Sequence, residues 1–301
     1  MRYIPIWLLF VLNILFPLPS QAWQGTGVIS VSVCPVHASP DYATPVETQL
    51  LMGMQVKVTE AGRWFRMEAP DGYLGYVHAD CVTLLPADMS HRWQTAPKVV
   101  VTALWGQVFS QPDVDSQPLT DVVAGCRLSL LGTDGGYWHV GCPGGRTGWL
   151  PKGLAQTEDE WKASCRADGE TIARWCMRLM GVPYLWGGTS IKGVDCSGLV
   201  SLACLMQNVI LPRNASQQAK LGKEVPADDG FGQLLPGDLL FFGTPAHGGR
   251  KEKVVHVGIS LGGARFIHSQ AYVHVSSLEP SDSLYDAFNR QRFLYARRIF
   301  P

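Results

Sequence analysis

Cys196 lies where a glycine-rich segment gives way to an apolar, helix-like pattern. Residues 186–188 read Trp-Gly-Gly, Asp195 precedes the cysteine, and apolar residues recur from Leu199 onward. In the first turn of a helix, unpaired backbone N–H groups and the helix dipole favour an anion, so we expect a lowered thiol pKa and a thiolate. The same N–H groups could stabilise a tetrahedral oxyanion. Taken alone, the pattern is also typical of a structural cysteine, so a nucleophile requires a partner base.

Two histidines in consecutive strand-like runs are the candidate base and its orienting partner. His256 lies inside an apolar run, and His268 ends the next one. A two-residue turn at residues 262–263 would put the two imidazoles on opposite faces of the hairpin, whereas a three-residue loop at residues 261–263 would set them directly across from one another. Because a triad requires them close together, we expect an odd-length turn or a bulge.

The elements that must position these residues form an α+β layout. Asp168 is a candidate N-cap of a helix that ends at Gly181, and a second helix begins near Cys196. The first of these two helices carries an apolar stripe that includes Ile172 and Met180. Five strand-like runs follow, at residues 238–242, 254–261, 264–268, 272–275 and 293–299. Helices followed by an antiparallel sheet indicate an α+β fold.

The preceding part of the chain contains a weak internal repeat of about seventy residues, which indicates a duplicated domain. Residues 53–58 match residues 125–130, residues 64–67 match residues 137–140, and residues 75–77 match residues 148–150. Each copy alternates apolar and polar residues between glycine-containing turns, the pattern of a small antiparallel barrel. Both copies resemble bacterial SH3-like domains.

Five motifs in a fixed order resemble the NlpC/P60 cysteine peptidases. They are residues 184–188 (YLWGG), 195–200 (DCSGLV), 236–239 (PGDL), 256–259 (HVGI) and 267–269 (IHS). The resemblance covers roughly residues 165–301 and implies a papain-like fold. It also implies that Cys196 attacks the scissile carbonyl, that His256 transfers the proton and that His268 orients His256. Tyr184 is a candidate oxyanion contact by the same resemblance.

Two SH3-like domains ahead of such a domain narrow the resemblance to γ-D-glutamyl-L-diamino acid endopeptidases. These enzymes hydrolyse the γ-D-Glu–diamino acid bond of peptidoglycan stem peptides that carry a free N-terminal L-Ala. The resemblance implies that Tyr73, Glu47 and Asp195 hold the free amine. It further implies that Arg213, Ser216 and Ser197 hold the α-carboxylate of D-Glu, whereas Trp186 is close enough in sequence to Cys196 to line the site.

Composition and the N-terminus address the setting of the protein. Lys+Arg and Asp+Glu number 25 each, so no broad field attracts nucleic acid. Residues 4–18 are almost wholly apolar and Ser20-Gln21-Ala22 follow, the pattern of a cleaved secretory signal peptide; an uncleaved anchor is the alternative. We therefore expect a secreted protein of the periplasm or cell envelope that has no stable membrane span after cleavage. We also expect a monomer.

Eight cysteines in an exported chain permit disulfides, and Cys126–Cys142 and Cys34–Cys81 are the candidate pairs. No C-x-x-C pair occurs, so neither a metal nor a cofactor is expected.

The expected organisation is a signal peptide at residues 1–22, SH3-like domains at residues 23–88 and 95–156, and an NlpC/P60 papain-like catalytic domain at residues 160–301. The predicted function is cysteine endopeptidase activity in cell-wall turnover. Two alternatives remain open: a catalytically inactive wall-binding protein, and an N-acetylmuramoyl-L-alanine amidase-type hydrolase that cuts between glycan and peptide.

Overall fold

The computed structural model describes residues 25–60, 62–227, 230–249 and 251–300, which form three packed units. The predicted signal peptide at residues 1–22 lies outside the described residues. In the part of the chain that is described, no helix is both long and apolar enough to cross a membrane.

The first unit is a seven-stranded antiparallel sheet with the order β3-β2-β6-β5-β4-β1-β7. Its strands are β1 (Gly25–Ile29), β2 (Val33–His37), β3 (Val46–Leu51), β4 (Gln55–Glu60), β5 (Trp64–Glu68), β6 (Leu74–His78) and β7 (Val82–Leu85). Alternate residues along the strands point into one apolar core that includes Val36, Val58 and Met67. This inward alternation is the physical basis of a small barrel.

The second unit repeats the first strand for strand. Its strands are β8 (Lys98–Val101), β9 (Trp105–Phe109), β10 (Pro118–Val123), β11 (Arg127–Asp134), β12 (Tyr137–Gly141), β13 (Thr147–Pro151) and β14 (Ala155–Thr157). The order β10-β9-β13-β12-β11-β8-β14 is that of the first sheet with seven added to every number, as the internal repeat predicts. The matched glycines Gly53 and Gly125 both have positive φ, 87° and 91°, which explains why glycine recurs at this turn.

Two segments that connect the units have regular structure. Residues 86–97 contain helix α1 (Ala87–Thr95), and residues 155–159 contain β14 and the start of helix α2 (Glu158–Ser164). Thr157 and Glu160 form a capping box that begins α2, with the Thr157 Oγ1 accepting from the Glu160 N–H.

The third unit combines helices with a six-stranded antiparallel sheet. Its helices are α3 (Gly169–Met177), α4 (Cys196–Leu205), α5 (Ala215–Gln218) and α6 (Ala287–Arg292). Its strands are the short pair β15 (Thr189–Ser190) and β16 (Gly193–Val194), and then β17 (Lys223–Val225), β18 (Leu239–Thr244), β19 (Lys253–Gly262), β20 (Arg265–Gln270), β21 (Tyr272–Ser277) and β22 (Phe293–Arg298). The sheet order is β17-β22-β18-β19-β20-β21.

Helix α4 packs against the face of this sheet and brings its N-terminus to β19. Leu199 and Val200 on the helix share one buried core with Val257 and Ile259 on the strand. The Asp168 side chain caps α3 as expected, by accepting from the Thr171 N–H. Within the predicted stripe of α3, Ile172 is buried but Met180 is 45% exposed, because the helix has ended before Met180.

All eight cysteines are free thiols, so both disulfide predictions are wrong for this structure. Cys126 Sγ faces the Ser32 carbonyl at 3.4 Å in the contact between the two barrels, and it is not bonded to Cys142. Cys34 and Cys81 do lie side by side, joined by a hydrogen bond between their thiols. The nucleophile candidate Cys196 is likewise unbridged.

Candidate active site

The backbone around Cys196 is held by Asp195, the N-cap of α4. Its Oδ1 accepts from the Gly198 N–H at 2.7 Å, and its Oδ2 accepts from the Gly187 N–H at 3.0 Å. A Cβ on Gly198 would overlap the Gly188 carbonyl oxygen, so the loop and the helix start can approach only because residue 198 is glycine. The cysteine thus lies at a rigid helix start, as the sequence predicts.

The protonation state of Cys196 differs from the sequence prediction. Burial raises the pKa of the Cys196 thiol to about 11, and the negative charge of Asp195 acts in the same direction. The N–H groups of Val257 and Ser197 and the charge of Arg213 lower it, but they do not outweigh the loss of water. The expected lowering of the thiol pKa is therefore wrong: with a pKa of about 11, the resting thiol is neutral.

His256 and His268 lie on one face of the sheet because of a bulge. Strands β19 and β20 pair Ser260 with Phe266 and then Gly262 with Arg265, so Leu261 is the extra residue. The expected bulge is confirmed. The directly opposite register is wrong, because this pairing sets His268 across from Gly258 and leaves the two imidazoles as diagonal neighbours, with His256 Nε2 2.9 Å from His268 Nδ1.

A hydrogen-bonded chain determines which nitrogen of His256 is available to the thiol. With Nε2 bonded to His268, Nδ1 is the ring nitrogen that remains, and the Sγ of Cys196 accepts from the N–H of Val257, the residue after His256. His268 Nε2 in turn lies 3.0 Å from Ser276 Oγ. If each Nε2 carries its proton and donates along the chain, His256 Nδ1 is a free acceptor, which is the state a base requires.

Burial also keeps the two imidazoles neutral. It lowers the pKa of His256 to about 3 and that of His268 to about 2, and nearby positive charge acts in the same direction. The resting pair is thus a neutral thiol and a neutral imidazole. Such a pair can transfer a proton when the sulfur attacks, because the imidazolium then forms beside the negative charge of the intermediate.

Arg213, Asp195 and Ser197 form a buried cluster beside the nucleophile. Arg213 Nη1 donates to Asp195 Oδ1 at 3.1 Å and to Ser197 Oγ at 2.9 Å, and Nη2 donates to Asp195 Oδ2. The sequence interpretation gave Arg213 to a substrate carboxylate and Asp195 to a substrate amine. The two side chains are bonded to each other, and Asp195 accepts bonds on both oxygens; their roles toward substrate stay predictions.

The first barrel reaches this cluster through strand β3. Gln49 accepts from the Thr189 N–H at 2.9 Å through its Oε1 and from the Thr189 hydroxyl at 3.0 Å through its backbone oxygen. A Cβ on Gly187, whose φ is 77°, would overlap the Val46 carbonyl oxygen. The loop before Cys196 can therefore pack directly against the strand that carries Glu47.

Glu47 and Tyr73 come together on the side of the first barrel that faces Arg213. The Tyr73 hydroxyl donates to Glu47 Oε2 at 2.9 Å. Burial and the neighbouring Glu47 together raise the pKa of Tyr73 to about 12, and the charge of Arg213 opposes both. These two residues are 26 positions apart, and only barrel closure juxtaposes them.

Three further residues predicted for the site differ in burial and in their distance from the nucleophile. Tyr184 lies near Cys196: burial raises its pKa to about 12, and the charges of Cys196 and Asp195 contribute. Trp186 is 63% exposed, so it does not form a buried wall of the site. Ser216 is exposed and makes no described hydrogen bond to Arg213 or Ser197, so its assignment to the substrate carboxylate stays a prediction.

Gln218, two positions after Ser216, is buried and points inward. Its Nε2 donates to the carbonyls of Pro212 at 3.0 Å and Ser197 at 3.3 Å, and to Ser201 Oγ at 3.1 Å. Two helical positions separated by two residues point about 200° apart, so Ser216 and Gln218 cannot both face the site. Nothing in the local sequence distinguishes the two positions, because both are polar residues of one short helix.

Charged groups on the histidine side of the site were also missed. Arg292 and Asp286 act with opposite signs on the pKa of His256, and Arg292 is the stronger of the two. His274 lies against His268, with ring centroids 4.4 Å apart. These residues come from α6 and β21, which are far from the motifs along the chain.

A cavity of about 670 Å³ adjoins the cluster at the junction of the three units. Its lining includes Asp71, Thr189 and Arg213, but neither Cys196 nor His256. It therefore lies behind the Arg213 cluster, not over the nucleophile. Among the residues that the structure describes, no group of three His, Cys, Asp or Glu side chains is arranged to hold a metal ion.

Comparison with known proteins gives two matching families. The NlpC/P60 family matches residues 181–298, and the bacterial dipeptidyl-peptidase Sh3 domain matches residues 36–81. A solved structure of an NlpC/P60 family protein from Bacillus cereus superposes with a TM-score of 0.77 and 23% identity, over 92% of this chain and 100% of that chain. That likeness shows a shared three-unit fold.

Among curated proteins, the chain is similar to a gamma-D-glutamyl-L-lysine dipeptidyl-peptidase of Bacillus subtilis, at 29% identity over 74% of this chain and 72% of the relative. It is similar to dipeptidyl-peptidase 6 of Lysinibacillus sphaericus at 27% identity, over 86% of this chain and 93% of the relative. It is also 38% identical to the probable endopeptidase NlpC of Escherichia coli, over 40% of this chain and 70% of that protein.

Proposed function

Since this chain belongs to the NlpC/P60 family of cysteine peptidases, we propose that it hydrolyses the γ-D-Glu–diamino acid bond of peptidoglycan stem peptides with a free N-terminal L-Ala. Two relatives that align with most of this chain have the names gamma-D-glutamyl-L-lysine dipeptidyl-peptidase and dipeptidyl-peptidase 6. Removal of a dipeptide requires that the cleft accept two residues before the scissile bond and no more.

The Glu47–Tyr73 pair is the observation that carries the proposal. A carboxylate held by a tyrosine hydroxyl at 2.9 Å, on a barrel that packs against the loop before Cys196, is suited to bind an ammonium group. An acylated amine cannot pair with that carboxylate and would leave it desolvated without a partner, so stem peptides still joined to glycan would be rejected.

The reaction follows from the resting state of the pair. As Cys196 Sγ bonds to the γ-carbonyl carbon of D-Glu, the thiol proton passes to His256 Nδ1, and the carbonyl oxygen becomes an oxyanion. Collapse of the tetrahedral intermediate breaks the C–N bond, and His256 returns the proton to the leaving amine. Water then hydrolyses the thioester with His256 as base, which releases L-Ala-γ-D-Glu and the free thiol.

The division of labour is part of the same proposal. The first barrel, residues 23–88, selects the free amine, and residues 160–301 perform the chemistry. The second barrel, residues 95–156, supports the first barrel and the catalytic unit. Lys192 of the catalytic unit binds Asp121 of the second barrel at 2.7 Å and Ser32 of the first barrel at 2.9 Å. We further propose that the protein acts in the cell envelope, because residues 1–22 have the pattern of a secretory signal. We propose a monomer as the acting form.

Incubation with L-Ala-γ-D-Glu-L-Lys tests the proposal. Mass spectrometry should detect L-Ala-γ-D-Glu and lysine, and Cys196→Ala should release neither. N-acetylation of the L-Ala should lower kcat/KM roughly 10- to 100-fold, the worth of one charge-assisted contact.

The substitution Glu47→Gln should remove most of that difference. Glu60→Gln, the same change at an exposed position of the same barrel, should leave it unchanged. Equal rates on free and acetylated peptides would refute the amine-binding role. Release of an intact stem peptide from muropeptides would identify an amidase instead.

A further inference from the structure

Arg292 lies on the histidine side of the nucleophile, at the point where α6 meets β22. The next residue, Phe293, pairs with Phe242 on β18, and Phe242 pairs with His256 on β19. Two strand spacings, about 10 Å between backbones, separate Phe293 from His256, and Arg292 directly precedes Phe293, so its long side chain can approach the histidine. Its charge acts on both His256 and Cys196.

The guanidinium of Arg292 has few partners within the protein. Nη2 donates to Asn289 Oδ1 at a long 3.3 Å, and the group stacks over the Phe288 ring at 4.2 Å. Its Nε is buried without a hydrogen-bond partner. The nearby acid is Asp286. Its two carboxylate oxygens accept hydrogen bonds from the backbone N–H and the side-chain amide of Asn289.

Three arginines of the catalytic unit form the ion pairs that Arg292 lacks. Arg213, Arg265 and Arg298 each bind a carboxylate directly, whereas none of the described carboxylates lies within 4.0 Å of Arg292. A half-buried guanidinium with unused donors is costly to maintain without an anionic partner. A ligand carboxylate would supply that partner.

The orientation of the peptide in the cleft determines which of its carboxylates lies near Arg292. Glu47, Tyr73 and Arg213 lie on the barrel side of Cys196, and under the proposed function they face the two residues before the scissile bond. The residue after the bond must then leave on the opposite side, past His256. We infer that Arg292 binds a carboxylate of the leaving diamino acid, a conclusion that rests on the proposed function.

Two carboxylates fit this chemistry. A terminal diamino acid carries an α-carboxylate close to the scissile nitrogen, and a diaminopimelate residue carries a second one at the end of its side chain. Both offer a planar anion to a planar fork of donors, which is the pairing that arginine forms best. Peptides that carry one, both or neither of them separate the two sources.

Four peptides, L-Ala-γ-D-Glu joined to L-Lys, L-Lys amide, diaminopimelate or diaminopimelate α-amide, test the inference with wild type and Arg292→Gln. Wild type should cut the lysine acid roughly 10- to 100-fold faster than the lysine amide, and Arg292→Gln should slow only the acids. If the side-chain carboxylate is the ligand, the diaminopimelate α-amide peptide will be cut fast and will be slowed by Arg292→Gln. The lysine peptide will then be cut as slowly as its amide.

Arg290→Gln is the matched control, since Arg290 lies on the same helix and stacks over Phe231 instead. It should leave all four rates unchanged, and Arg292→Lys should retain part of the preference for acids. Equal slowing of acids and amides by Arg292→Gln, or no acid preference in wild type, would overturn the inference while leaving the proposed function intact. Failure of wild type to cut any of the four peptides would overturn the proposed function, and the inference with it.

Discussion

Replacing Arg213 with methionine should destabilise the catalytic unit far more than loss of a typical ion pair. Arg213 and Asp195 are 4% and 7% exposed, and the pair is bidentate. Removal of the guanidinium strands a buried carboxylate, a change that costs about 3–5 kcal/mol. Asp195 is also the N-cap of the helix that begins with Cys196, so we expect the damage to centre on the nucleophile.

A double-mutant cycle isolates the interaction. Asp195→Asn keeps a good N-cap but leaves Arg213 without its charge partner, whereas the double variant removes both charges. We expect the double variant to be less destabilised than the sum of the singles, with a coupling energy of about 2–3 kcal/mol. Arg265→Met is the control: its partner is Asp282 at 2.7 Å, but Arg265 is 57% exposed, so its loss should cost at most about 1 kcal/mol.

Hydrogen exchange with mass spectrometry is the suitable assay because it resolves the three units. Peptides that cover α4 and β19 report the opening free energy of the catalytic unit, and peptides from the second barrel serve as an internal reference. The reasoning would be refuted if Arg213→Met cost no more than Arg265→Met, or if the effects of the single variants simply added.

Three further predictions follow from the site. Ser276→Ala should lower kcat about tenfold with little change in KM, because His268 loses the acceptor that holds its tautomer; a larger change in KM than in kcat would contradict this. Iodoacetamide should alkylate Cys196 tenfold faster per pH unit between pH 6 and 9, since a pKa of about 11 keeps the thiol protonated throughout; a flat profile would indicate a resting thiolate. Gly198→Ala should destabilise the unit by roughly 3 kcal/mol or more, because its Cβ would overlap a carbonyl oxygen of the preceding loop, and a melting temperature equal to that of wild type would disprove the clash.

The sequence was informative wherever chemistry depends on local spacing. The repeat, the α4 start at Cys196, the Asp168 cap and the order of strands were all predictable, because capping, alternation and turn residues act within a few positions. Even the bulge between His256 and His268 followed from the requirement that two histidines share a face, since shifting a strand by one residue reverses its side chains.

Other features were decided by tertiary packing. The pKa of Cys196 depends on how much water the sheet removes from the helix start, and that desolvation outweighs the dipole that the sequence shows. The choice of Gln218 over Ser216 depends on which way a four-residue helix is rotated against α4.

Arg292 illustrates the limit most clearly. It lies 36 positions after His256 and 96 after Cys196, in a segment without a motif, and it reaches the site only because β22 and β19 flank the same central strand. Short-range patterns determine which elements form, because their energetics are local. Burial and charge at a site are sums over whatever the fold brings within a few ångströms, so only the tertiary structure could decide them.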